Sequence, residues 1–271
     1  MTNSENRKIN IWIEGLQGAG KSTLLQEIVK LYPELTVCRE GDYSPVELAW
    51  CAWLDKEQYK AVLSRYETIS EEIKQWTVQE DDRFIIMYTR ILTDIPGFHQ
   101  DLEQYEIYNG RKKYTEIKDI VSTRYKAFRD TGYVFECSFL QNLTEDLILF
   151  HEKSDEEILD LYRILYDVQD KENFRILYLY SENIEENIRI ISKERSDTNG
   201  NPLWLPMMLE YLKNSPYGKH HKMEGIEDLI THLRHRQELE LRIIKEIVGE
   251  QAVILKSKQW TKENLENLFI H

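Results

Sequence analysis

The sequence predicts an α/β fold built on a five-stranded parallel sheet, and three observations predict it. Short apolar runs recur along the chain, amphipathic helical patterns separate them, and the first run passes through a glycine-rich octapeptide directly into a helical pattern. Strands that alternate with helices pair in parallel and bury both faces of the sheet under helices. In such a sheet the ligand crevice lies beyond the carboxyl ends of the strands.

The first strand is Ile9 to Glu14. It is followed by Gly15-Leu16-Gln17-Gly18-Ala19-Gly20-Lys21-Ser22, which fits G-x-x-x-x-G-K-[ST] in full, and then by Leu24, Leu25, Ile28, Val29 and Tyr32 at helical spacing. Strand, glycine loop and helix in this order make a P-loop. Backbone N–H groups of such a loop close around a polyphosphate, so Gly15, Gln17, Gly18, Ala19, Gly20, Lys21, Ser22 and Thr23 are the expected nucleotide contacts. Lys21 reaches the terminal phosphates, the Ser22 hydroxyl suits Mg²⁺, and Thr23 is placed for an inner phosphate. The expected cofactors are therefore ATP and Mg²⁺.

The second and third strands, Leu35 to Glu40 and Gly132 to Glu136, each end in a carboxylate, which brings Glu40 and Glu136 to the same crevice. Phe174 to Tyr180 and Ala252 to Leu255 supply the fourth and fifth strands. Helices are signalled by Ser44-Pro45-Val46-Glu47 and by Ser154-Asp155-Glu156-Glu157, both capping boxes, the first with proline at the opening position. Phe84, Ile85, Tyr88, Ile91 and Leu92 predict another helix, stopped near Pro96-Gly97. Tyr114 to Phe128 predicts a further one, and Ile226 to Ile247 a long helix or helix pair leading into strand five. Tyr108 to Lys113 reads as an exposed turn.

Composition bounds the function. The 271 residues carry 35 basic against 48 acidic side chains, a formal charge of −13, which argues against general affinity for nucleic acid or anionic membrane. No apolar run is long enough to span a bilayer and the first residues lack a signal-peptide core, so a cytoplasmic protein is expected. Cys38, Cys51 and Cys137 form no CxxC pair, and neither a disulfide nor a zinc site is expected. His220-His221 lies in a polar stretch without a carboxylate set, the pattern of solvent-exposed histidines. The sequence is compatible with a homodimer and does not fix the oligomeric state.

A P-loop holds a triphosphate, but phosphoryl transfer also needs an acceptor, a group to take its proton and positive charge over the migrating phosphoryl. Glu40 is the candidate base and Glu136 the candidate Mg²⁺ carboxylate. The alternative for each is an ordinary surface carboxylate at a strand end, and their joint placement weighs against it. Arg189, Lys193 and Arg195 lie on a predicted helix and its following loop, a segment suited to close as a lid over about 189–225.

These residues resemble the deoxynucleoside kinase and thymidylate kinase branch of P-loop kinases. Arg39-Glu40-Gly41-Asp42-Tyr43-Ser44-Pro45-Val46-Glu47-Leu48-Ala49-Trp50 looks like the glutamate-proline-valine segment ending in tryptophan. Phe135-Glu136-Cys137-Ser138 is similar to the family's phenylalanine-glutamate-arginine-serine, and Glu185, Arg189 and Lys193 after Ile176-Leu177-Tyr178-Leu179 look like its arginine-bearing helix. The resemblance runs from residue 9 to about 257; chain length favours a single P-loop domain over 1–271, and the segment between Pro96 and Thr131, longer than the family has there, suggests a helical insertion at 97–131 that remodels the acceptor pocket. The resemblance implies Glu40 as general base, Glu136 as the Mg²⁺-linked carboxylate and adenine contacts from Lys256-Ser257-Lys258-Gln259-Trp260. Two departures stand out: Cys137 replaces the strand-three arginine, and Asn142 stands where an aspartate would read the base.

On the acceptor side, Trp53, Arg83, Tyr88 and Asn142 are the candidate contacts, although aromatics at helical spacing more often fill a core. Arg83 is placed on the predicted helix that faces the crevice in the resembled fold. The sequence thus predicts an ATP-dependent small-molecule kinase acting on a nucleoside or nucleotide. A kinase of an antibiotic or sugar alcohol, and a nucleotide-binding regulatory switch, remain the alternatives.

Overall fold

A computed structural model of the chain describes residues 9–266. Its elements run β1 (Asn10–Gly15), α1 (Lys21–Leu31), β2 (Thr36–Cys38), β3 (Ala52–Leu54), α2 (Lys56–Arg65), α3 (Ser70–Gln75), β4 (Thr77–Glu80), β5 (Arg83–Ile86), α4 (Phe98–Glu103) and α5 (Tyr114–Ala127). There follow β6 (Tyr133–Glu136), α6 (Gln141–Leu149), α7 (Asp155–Asp167), β7 (Phe174–Tyr180), α8 (Ile184–Glu194), α9 (Trp204–Asn214), α10 (Pro216–His221), α11 (Ile226–Ile243), β8 (Ala252–Lys256) and α12 (Lys262–Glu266). They divide into two compact units, one of residues 9–37 and 129–266, the other of residues 38–128. Among the described residues no helix is long and apolar enough to cross a membrane.

The first unit holds a five-stranded, all-parallel sheet in the order β2-β6-β1-β7-β8. Central β1 is buried along its length, which is why it reads as a continuous apolar run rather than an alternating one. The two-residue period still sorts its side chains. Ile11 and Ile13 pack with Leu24, Leu25 and Ile28 of α1 and with Leu265 of α12. On the other face Trp12 lies 4.2 Å from the Phe174 ring and 5.0 Å from Phe135, beside Phe139 at the entrance to α6. Tyr166 of α7 closes that face against Phe174 at 5.5 Å. Helices therefore cover both faces, as the alternation of elements predicts.

The strands match expectation apart from β2, which ends at Cys38 and leaves Glu40 in the turn beyond it. The capping box at Ser154 opens α7: the hydroxyl accepts from Glu157 N–H at 3.4 Å and the Glu157 carboxylate accepts from Ser154 N–H at 3.0 Å. α5 spans Tyr114–Ala127, within one residue of its predicted end. The predicted C-terminal helix is α11, which gives way to a π-helical turn over Ile244–Val248 before β8.

In the second unit two predicted helices are replaced by other structure. The Ser44 box caps no helix; its hydroxyl accepts from the Val46 and Glu47 N–H groups at 3.3 Å each. Glu47 is buried and accepts from Ala49 N–H at 2.6 Å, so the same residues stabilise a turn. The helix predicted from Phe84 to Leu92 is instead strand β5, which carries Arg83, Phe84 and Ile85, followed by a 3₁₀ turn at Tyr88–Arg90. Leu92 is 88% exposed. The short β5 pairs antiparallel with β4 through a turn at Asp81 (φ 46°), and β3 completes the sheet in the order β3-β5-β4. Its core holds Leu54, Val62, Ile73, Ile86, Phe98 and Leu102.

Candidate functional site

The Gly15–Ser22 loop connects the carboxyl end of β1 to the first turn of α1. Ala19 N–H bonds to Leu16 O at 3.2 Å within the loop, and the first N–H groups of α1 have no intrahelical carbonyl to meet. Gly18 adopts φ 76°, and a Cβ there would sit 3.1 Å from Asn187 O and 3.3 Å from Ile191 Cβ, so α8 packs directly on the loop. At Gly20 (φ 95°) a Cβ would lie 3.2 Å from the Trp260 ring. Ser257 holds the same stretch from the end of β8, donating to Ala19 O at 2.8 Å.

Lys21 is buried, and its ammonium donates to Gly15 O and Leu16 O at 2.8 Å each, folding the side chain back over the loop. The neighbouring Ser22 hydroxyl donates to Glu136 Oε1 at 2.5 Å, which joins the loop to the end of β6. The residue after Glu136 has an unusual backbone. Cys137 sits in left-handed conformation (φ 60°), its N–H bonded to Ile13 O at 3.1 Å and its carbonyl accepting from Asn142 Nδ2 at 3.0 Å. A non-glycine residue there costs about 1–3 kcal/mol and is characteristic of functional sites. Asn142 thus serves this strand end.

Behind the loop lies a buried charged cluster that sequence reasoning missed. Arg236 of α11 is fully buried and donates to Glu145 Oε2 of α6 and to Gln17 Oε1 of the loop, both at 2.7 Å. Its Nε lies 3.2 Å from Glu240 Oε1, an ion contact without the alignment of a hydrogen bond. Tyr178 donates to the other Glu240 oxygen at 2.7 Å, and His232 Nε2 meets Glu145 Oε2 at 3.0 Å. Burial would raise the Glu145 carboxyl, but Arg236 and His232 outweigh it and hold the group below the usual carboxylate range. Glu240, with the poorer contact, is raised by burial despite Arg236. One guanidinium cannot neutralise both. Glu14, which immediately precedes the loop, is pushed up to about 7 by burial even though it accepts from Phe139 N–H at 2.6 Å and Gln141 N–H at 3.2 Å.

The candidate lid cations are on or beside α8. Arg189 pairs with Glu186 one turn earlier, while Lys193 and Arg195 make no ion pair among the described residues. Ser196 and Pro202 bridge the loop that follows. His220 bonds Glu152 at 2.8 Å.

The remaining predicted residues belong to the second unit. Glu40 accepts from Trp50 Nε1 at 3.0 Å. Arg83 is on strand β5, not on a helix, and its guanidinium lies 4.1 Å from the centre of the Trp53 ring, with Lys112 at 5.4 Å from the same ring. Tyr88 is buried and donates to Glu106 Oε1 at 2.6 Å, which makes it a core hydrogen-bond donor. Neither a protein-family model nor a curated protein matches this chain.

Proposed function

We propose that this protein is a cytoplasmic P-loop kinase that transfers the γ-phosphoryl group of ATP to a small acceptor, a nucleoside or nucleotide first of all. The observation that carries the reading is the Ser22–Glu136 contact of 2.5 Å at the mouth of the complete glycine motif. A hydroxyl and a carboxylate, both hard oxygen ligands, fit Mg²⁺. Among the described residues no cluster of three or more His, Cys, Asp or Glu side chains could hold a metal. Mg²⁺ in phosphoryl-transfer sites needs only one or two carboxylates besides the phosphates and water. When bound it would neutralise charge developing on the phosphates.

In this reading the loop's backbone N–H groups and the α1 N-terminus cradle the phosphates. Lys21 exchanges its two carbonyl partners for the terminal phosphates, Thr23 contacts an inner phosphate and Trp260 borders the nucleotide. Glu40 takes the acceptor's proton, Arg189, Lys193 and Arg195 supply charge from the lid, and Trp53 and Arg83 meet the acceptor.

The test is ATP binding by calorimetry together with ADP formation against pooled nucleosides, nucleotides and aminoglycosides. Wild type is expected to bind Mg²⁺–ATP and to release ADP only with one acceptor. Lys21→Ala is expected to lose turnover while keeping its circular dichroism spectrum and melting temperature. A folded Lys21→Ala protein with wild-type turnover would overturn the reading, and ADP release indifferent to every acceptor would favour a regulatory switch.

A further inference from the structure

Glycine-rich loops are entropically loose, and their backbone donors converge only where something outside the loop holds them. Here the Gln17 side chain does not point to a ligand position. Its amide oxygen is taken by Arg236 at 2.7 Å, from a helix that begins more than two hundred residues later in the chain. The guanidinium is itself fixed from two other directions, by Glu145 of α6 and by Glu240 one turn along α11. Tyr178 ties Glu240 to β7, and Gln237, next to Arg236, bonds both Ser181 N–H at 2.9 Å and Ser181 O at 3.0 Å just beyond that strand. Glu145 neutralises Arg236 and Glu240 lies beside it, so the guanidinium offers the loop little net charge. It offers a rigid, charge-assisted hydrogen bond.

We propose that Arg236 is a positioning residue for the glycine loop: through Gln17 it holds the loop's N–H groups in the arrangement that receives a polyphosphate, so that α11 sets nucleotide affinity. The proposal rests on the nucleotide-binding reading above. It differs from a plain core role for Arg236 because its effect passes through one exchangeable side chain on the loop.

The experiment compares wild type, Gln17→Met, Arg236→Lys and the double variant. Kd for ADP and Mg²⁺–ATP is measured by calorimetry, and amide hydrogen exchange over residues 15–22 without nucleotide. Gln17→Met keeps the length and removes the acceptor; we expect about tenfold weaker ADP and ATP binding. Loop amides should exchange faster while core amides stay unchanged. In the Arg236→Lys background the Gln17→Met effect should shrink, since the fork it relied on is already gone. Should Arg236→Lys fail to fold, Gln17→Met still decides. Wild-type affinity and wild-type loop exchange in Gln17→Met would overturn the proposal, as would a Gln17→Met effect of undiminished size in the Arg236→Lys background. Faster loop exchange in Gln17→Met, in a protein whose wild type binds no nucleotide, would sink the nucleotide reading and with it the role in affinity, leaving only the loop contact.

Discussion

Three buried glutamates illustrate how much a single residue's surroundings decide. Glu106 accepts from Tyr88 at 2.6 Å and Asn109 at 2.8 Å, and burial pushes its carboxyl up to about 7 despite those bonds. The folded protein therefore keeps a proton that the unfolded chain gives up near the ordinary carboxylate value. Stability from this group is full below about pH 4 and is lost as pH rises to about 7, by up to roughly 3 kcal/mol. Glu14 adds a loss of the same sign in the first unit. Glu106→Gln is expected to flatten the decline; urea unfolding at pH 5 and pH 8 reads the difference, and an unchanged slope would show that Glu106 is ionised throughout. Glu136 has another task in the kinase reading. Glu136→Gln should raise the Mg²⁺ concentration for half-maximal activity, because an amide is a poorer ligand for a hard cation. A Mg²⁺ titration with an unshifted midpoint would remove Glu136 from the metal.

At the scale of elements, what could be read from sequence was what is local. The Gly15–Ser22 loop, β7 and α7 declare themselves through adjacent residues, a glycine spacing, an apolar run or a capping serine. β5 did not, because four residues give too short a pattern to distinguish period two from 3.6, and Tyr88 and Ile91 happen to extend the helical reading. Ser44 emits a capping signal that the fold spends on a turn. Arg236 was hidden because His232-Leu233-Arg234-His235-Arg236-Gln237 reads as a solvated helix face. Arg236 and Glu240 at i and i+4, with a tyrosine in a buried strand, were the signal available. α8 carries the element-scale prediction: neutralising Lys193 and Arg195 together should lower kcat far more than ADP affinity, if their charge serves the transition state. Steady-state kinetics with ADP competition measures both, and equal losses would mark them as ground-state phosphate contacts.

Over the whole molecule, the formal charge of −13 makes self-repulsion a general term. Raising ionic strength from about 0.01 M to 0.15 M shortens the screening length from about 30 Å to 8 Å and is expected to raise the melting temperature by a few degrees. Calorimetry at three salt concentrations checks it, and a falling temperature would mean that the surface ion pairs, such as Arg242 with Glu156 and Glu246, outweigh the repulsion.

The connection between β2 and β6 has a consequence for how the chain reaches its native state. Thr36 N–H meets Gly132 O at 2.8 Å, so the two ends of the long excursion through residues 38–128 finish on neighbouring strands of the parallel sheet. Closing so long a loop as a random coil carries a large entropic cost before any sheet bond repays it. A segment already collapsed around its own core brings its ends together at less cost. On this topology the interior segment is expected to condense first, with the parallel sheet closing around its ends.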